Sequence, residues 1–147
     1  MINEFHIRII KVRKPSQKDV NSDLQWFSES LGLFGDRDKE KSCFRVFIEL
    51  LKATRERHSL SSDEIAFRTN LSRATVVHHL DKLKSAGFVI ELHNRYILRV
   101  DNLEELIDEL KKDLNRVFLG LEEMAKELDS ELGLFKREKK GNTRVVE

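Results

Sequence analysis

The chain has 147 residues, a formal net charge of +1, 39% hydrophobic residues and 36% charged residues. That length supports one domain, or one small domain with a helical appendage, and the apolar fraction is enough for a core. A single cysteine, Cys43, excludes an intramolecular disulfide and a thiolate-rich zinc site within one chain.

In chain order, "EFHIRIIKVRK" (residues 4–14) reads as a strand. Phe5, Ile7 and Ile9 alternate, and the phase then shifts to Ile10 and Val12, the mark of a bulge. Pro15 ends it. Ser16 is the expected cap of a helix in which Val20, Leu24, Phe27 and Leu31 repeat at helical spacing, and Gly32 stops it. "GDRDKEKS" is a polar link. "SCFRVFIELLKATRERH" is a helix whose stripe is Phe44, Phe47, Ile48 and Leu51, widened by Val46 and Leu50. Ser61 and Glu64 have capping-box spacing, which starts a short helix with Ile65 and Ala66 inward. After the turn "TNLS", Ser72 caps a second helix, with Leu71 as a staple and Val76, Leu80 and Leu83 as its buried stripe. Gly87 ends that helix. "FVIEL" and "YILRV" are β-prone runs separated by "HNR", a hairpin signal in which Asn94 suits a left-handed turn position.

From Asn102 the pattern changes. Leu103, Ile107, Leu110, Leu114, Val117, Leu121, Met124 and Leu128 alternate spacings of four and three, an a/d heptad register. Leu106 and Phe118 widen the stripe. Asn102 caps the helix and Gly133 ends it. At 1.5 Å per residue, residues 102–132 span roughly 40 Å or more, too long for a small domain to cover. Pairing of two such helices in a homodimer is therefore expected. Charge is uneven along the chain. Residues 72–100 carry five basic side chains against two acidic, residues 101–131 four against eleven, and residues 132–147 five against two. A basic middle and an acidic helix imply surfaces with separate jobs.

The order helix, short helix, tight turn, capped helix, hairpin, long helix is that of a winged helix-turn-helix. Over residues 43–100, "LSRATV", "HHLDKLKSAGFV" and the hairpin that follows resemble the winged-helix regulators typified by the ArsR family and its archaeal relatives. The resemblance implies a mainly α fold with a small β component (α+β). With the patterns read on either side of it, the chain is expected to comprise an N-terminal strand and helix extension (1–40), a DNA-binding domain (41–100), a dimerisation helix (101–133) and a basic, structureless tail (134–147). The resemblance also implies a transcriptional regulator that binds double-stranded DNA. Helix 72–84 would enter the major groove and the wing at 93–95 would touch the minor groove or backbone. The DNA-binding residues are then Ser72, Arg73, Ala74, Thr75, Val77, His78, Lys82, Lys84 and Arg95. Arg73 can pair with guanine or phosphate, Ala74 and Val77 can make only apolar contacts, as with a thymine methyl, and His78 can donate or accept. Relatives often carry Ser or Gln at the position of Val77 and a basic residue at that of Asp81. Both departures weaken the case for tight, sequence-specific binding.

Three other readings compete. An architectural DNA-binding protein with little sequence preference fits Ala74, Val77 and the basic tail. A protein-interaction module fits Asp81 and the acidic helix. An enzyme fits poorly, since there is no phosphate loop, nucleophile elbow or HExxH, and Cys43 has no base at suggestive spacing. No cofactor or metal is expected. His78 and His79 are adjacent on a helix and point about 100° apart, so they do not chelate one ion. Trp26 and Phe27 read as core aromatics. The N-terminal "MINEFHIRIIKVRK" carries charges throughout, unlike a signal peptide, and no apolar run approaches membrane-spanning length. A soluble, cytoplasmic, nucleoid-associated protein is expected.

Overall fold

The computed structural model describes residues 8–10, 13–16, 19–33 and 41–137. Its contacts divide the chain into two units, Met1–Ile107 and Asp108–Glu147.

The strand expected over residues 4–14 lies largely outside the described residues, and 8–10 and 13–14 belong to no regular element. The Ile10 N–H donates to the Ser30 carbonyl at 2.9 Å, which ties this segment to the first helix. That helix, α1 (Val20–Ser30), starts later than Ser16 would have it. Asp19 is the cap: its carboxylate accepts from the Ser22 backbone N–H and from Ser22 Oγ, both at 2.8 Å. A carboxylate at this position satisfies an orphan donor and also complements the positive end of the helix dipole. Gly32, with φ of 72°, stops the helix as expected. The backbone of Arg8 passes so close that a Cβ on Gly32 would lie 2.6 Å from the Arg8 carbonyl oxygen. Both the turn and the close approach need glycine.

The second helix, α2 (Ser42–Arg55), is the centre of the first unit. Cys43, Val46, Phe47, Leu50 and Ala53 are essentially inaccessible to solvent, whereas Ile48 and Leu51 are half-buried. The core face is thus rotated from the expected stripe. This helix packs against the hairpin and against the next two helices at once, and the sum of those neighbours decides which side is deepest. Its end uses a left-handed residue, Arg57, with φ of 60°. The His58 N–H reaches the Ala53 carbonyl and the Arg57 N–H the Thr54 carbonyl.

A two-residue strand, β1 (Leu60–Ser61), leads into α3 (Ser62–Thr69) and then α4 (Arg73–Ser85). Ser61 caps α3 by accepting from the Glu64 N–H at 3.1 Å, as the capping-box spacing predicts. Asn70, in the left-handed region at φ 57°, makes the tight turn, and the Arg45 guanidinium hydrogen-bonds the Thr69 carbonyl beneath it. Gly87 (φ 81°) ends α4 in a Schellman arrangement: Gly87 N–H to the Lys84 carbonyl and Phe88 N–H to the Leu83 carbonyl, both at 3.0 Å. That stop drives Phe88 into the core, where its ring lies 6.3 Å from that of Phe47.

Strands β2 (Val89–Leu92) and β3 (Arg95–Leu98) form the hairpin, and β1 pairs antiparallel with the other side of β3, in the order β1-β3-β2. Leu60 sits opposite Tyr96 and Val89 opposite Leu98, so the inner face of the small sheet is buried apolar surface against α2. No sequence signal marks β1, because two residues carry no periodicity. His93 and Asn94 both have positive φ, 51° and 61°, the geometry of a two-residue I′ turn. Arg95 is therefore the first residue of β3 rather than part of the tip.

The last helix, α5 (Leu103–Leu132), is one continuous element of 30 residues. Asn102 caps it as expected, accepting from the Glu105 N–H at 2.8 Å. Leu106 is fully buried in the first unit. Within the second unit Leu110 is buried and Leu114 half-buried, and every residue from Asn115 to Gly133 is exposed. The remaining tail residues, 138–147, lie outside the described residues.

Candidate nucleic-acid interface

The helix-turn-helix is built so that α4 is held from one side only. Val76, Leu80 and Leu83 have no solvent exposure. Fully burying a side chain of this kind stabilises by about 1.5–3 kcal/mol relative to leaving it exposed, so these three fix the rotation of the helix about its axis. With that rotation set, Arg73, Ala74, His78, Asp81 and Lys82 are exposed and Val77 is half-buried. Arg73, Ala74, Val77, His78 and Asp81 together line one shallow, open depression on the outward face.

The nine residues expected to contact DNA divide by what their side chains already do. Ser72 and Thr75 serve the helix start: Ser72 Oγ accepts from the Thr75 N–H at 3.1 Å and lies 2.8 Å from Thr75 Oγ1. Arg73 faces Asp63 on α3, Nε to Oδ1 3.3 Å, with both side chains more than two-thirds exposed (72% and 78%). An exposed pair of this sort is weak and can be exchanged for a phosphate or a base edge. Lys84 is held differently. Its ammonium lies 2.8 Å from Glu91 on β2, and the half-buried pair ties the end of α4 to the hairpin. Hydrogen bonds from Lys84 and then from the Tyr96 hydroxyl keep the Glu91 carboxyl below its usual range.

Arg95 is the most engaged of the set. Its guanidinium donates to both Glu64 carboxylate oxygens, at 2.9 and 3.3 Å, and to Ser59 Oγ and the Ser59 carbonyl, each at 2.9 Å. The same contact holds Glu64 below the ordinary carboxylate range. Glu64 thus turns to the hairpin, and Arg95 clamps the wing onto the start of α3. The exposed tip itself is His93 and Asn94. His93 was not singled out by sequence reasoning. The signal that could have found it is the two-residue spacing of the turn, which leaves its side chain at the apex. Phe67 on α3 is also unanticipated, being 89% exposed.

Tyr96 gives a test of how firmly the hairpin is seated. Burial, and then its hydrogen bond to Glu91, push its phenol up from 10.0 to about 12. The folded state therefore keeps a proton that the unfolded chain releases first, so this stabilisation is complete below pH 10 and is lost as pH rises through about 12. Urea unfolding midpoints should fall across that window, and Tyr96→Phe should flatten the fall. An equal alkaline slope in the variant would assign it to other groups.

Trp26 and Phe27 are half-buried rather than core residues. They line an open cavity of about 520 Å³ with Lys14, Pro15, Val20, Asp23, Leu24 and Leu103, and the Lys14 ammonium lies 5.7 Å from the Trp26 ring centre. Among the described residues no group of three or more His, Cys, Asp or Glu could hold a metal ion. The His78 and His79 rings are tilted at 58° with centres 5.4 Å apart. Among the described residues, too, no helix is long and apolar enough to cross a membrane.

A capped helix anchored by one apolar face, a left-handed tight turn before it and a hairpin clamped beside it define a winged helix-turn-helix domain. Residues 48–91, from within α2 to β2, match the family described as bacterial regulatory protein, arsR family. Over these residues the chain is similar to the helix-turn-helix domain of ArsR-family regulators, which supports a DNA-binding role in transcription. No curated protein and no solved structure matches the chain.

Proposed function

We propose that the protein regulates transcription as a homodimer on the chromosome, with α4 in the major groove of each half-site and the hairpin tip at the minor groove or backbone. The single observation that carries this reading is α4 itself: three side chains at zero exposure on one face, and opposite them a face that opens with Arg73 and is exposed except for the half-buried Val77. One helix makes few base contacts, and a two-fold pair reading half-sites about one DNA turn apart multiplies them. The pairing element is the second unit, where Val117 (48%), Leu121 (59%), Met124 (53%) and Leu128 (44%) leave apolar surface exposed at heptad spacing. Such a stripe on a long helix is the usual seam of a coiled coil.

A gel shift against mixed genomic fragments at a low and a high salt concentration tests the DNA-binding step. Retarded complexes should form at low salt and weaken steeply at high salt, as released counterions require. An absence of complexes at low salt removes the reading. Selection from random DNA then separates regulator from architectural protein: an enriched palindrome is expected, and a pool without a motif would favour the architectural role. A protein-contact role is favoured by one observation, the exposed Phe67 on α3, and predicts no salt-sensitive DNA affinity.

A further inference from the structure

The outward face of α4 is unusual in what it lacks. Its centre is Ala74 and Val77, three residues apart on one side of the helix, and neither can donate or accept a hydrogen bond. The other residues that line the depression are polar: Arg73 next to Ala74, His78 next to Val77, and Asp81 one turn beyond Val77. A base edge brought against Val77 gives up water. If that edge is an amino group or a carbonyl, its hydrogen-bonding group is left unsatisfied, which is costly. The one bulky apolar group that projects into the major groove is the C5 methyl of a pyrimidine, which thymine carries; unmodified cytosine offers only a C5–H there. Asp81 narrows the choice further. Its carboxylate is repelled by phosphate and by the acceptor oxygens of guanine and thymine, and is matched by the exocyclic amine of cytosine or adenine.

We infer that each half-site presents a C5-methyl pyrimidine to the Ala74–Val77 depression, flanked on the Asp81 side by a base that offers an amine. This assignment rests on the major-groove reading above. Specificity then comes from shape at Ala74 and Val77 and from the polar groups of Arg73, His78 and Asp81 beside them.

The test begins with the duplex enriched by selection from random DNA, bound to the full-length protein and followed by fluorescence anisotropy. Each thymine is replaced in turn by uracil, which removes the methyl and nothing else. At one thymine per half-site the affinity should fall about fourfold, the effect of one buried methyl, and other thymines should show no change. Val77→Ala should shrink that penalty toward none, and Ala74→Ser should do so in part. Both are mild changes on an outward helix face and leave the core stripe intact. If the enriched base at that position is cytosine, 5-methylcytosine should strengthen binding by a similar factor. Binding without dependence on any pyrimidine methyl overturns this assignment and leaves the groove reading standing. A methyl dependence that persists unchanged in both variants also overturns it. Failure to bind any duplex at low salt overturns both together.

Discussion

Replacing Leu121 by lysine should give a monomer that remains fully folded and binds an operator about 10²- to 10⁴-fold more weakly than the wild-type protein. Leu121 is 59% exposed in the single chain, so its removal takes away little of the chain's own packing. In a paired stripe the same position would be buried against its counterpart. Two lysines there would meet as like charges in a desolvated seam. The loss in DNA affinity follows from losing the second half-site, since the second contact in a dimer is intramolecular. Light scattering at tens of micromolar, circular dichroism and a gel shift on the selected duplex measure the three parts. A wild-type protein that already scatters as a monomer, or a variant whose mass is unchanged, would remove the coiled-coil seam. Leu121 is a better site than Leu114 for this test, because Leu114 is half-buried within the chain and its substitution would mix folding with pairing.

Leu80→Ala should destabilise the first unit by about 2–5 kcal/mol, the range for truncating a buried leucine in a core that collapses only partly. Leu80 has no exposure and sits midway along α4, between Val76 and Leu83 on the face that seats the helix. Typical domains have only about 5–15 kcal/mol to lose, so the expected change is a large share of the total. Urea unfolding should show a lower midpoint, and DNA binding at low temperature should be weakened by looser seating of the helix. The variant separates anchoring from recognition: Val77, one residue from Val76 and on the open face, should cost far less stability when truncated. Equal costs at the two positions would mean that α4 is not held from one side.

Much of this architecture was legible before any coordinates. Ser61, Ser72 and Asn102 cap the helices they were expected to cap, because side-chain capping is a local property of three or four residues. Gly32, Gly87 and Gly133 stop their helices for the equally local reason that a left-handed residue is needed there. The α4 stripe of Val76, Leu80 and Leu83 was also readable, because that helix has only one apolar side. Two other readings missed where a local rule met competition. Asp19 displaced Ser16 as the cap of α1, and the core face of α2 turned toward Cys43, Val46, Phe47, Leu50 and Ala53. That helix is apolar on more than one side, and periodicity alone does not rank its faces.

The candidate site divides along the same line. The sequence by itself determined which residues occupy the outward face of α4, since a 3.6-residue period and one buried stripe leave no freedom about the opposite side. What those residues are already bound to was decided only by tertiary structure. Arg95 clamps the hairpin to Glu64 and Ser59, residues 31 and 36 positions away, and Lys84 reaches Glu91 across the end of the helix. The Arg95 partners lie beyond any local period, and Lys84 meets Glu91 only because the chain turns back after Gly87. β1 likewise exists only because β3 offers it an edge. The apolar stripe of α5 was visible as a heptad pattern. That its early members are buried or half-buried, and that the exposed stripe begins at Val117, depended on the packing of the folded chain.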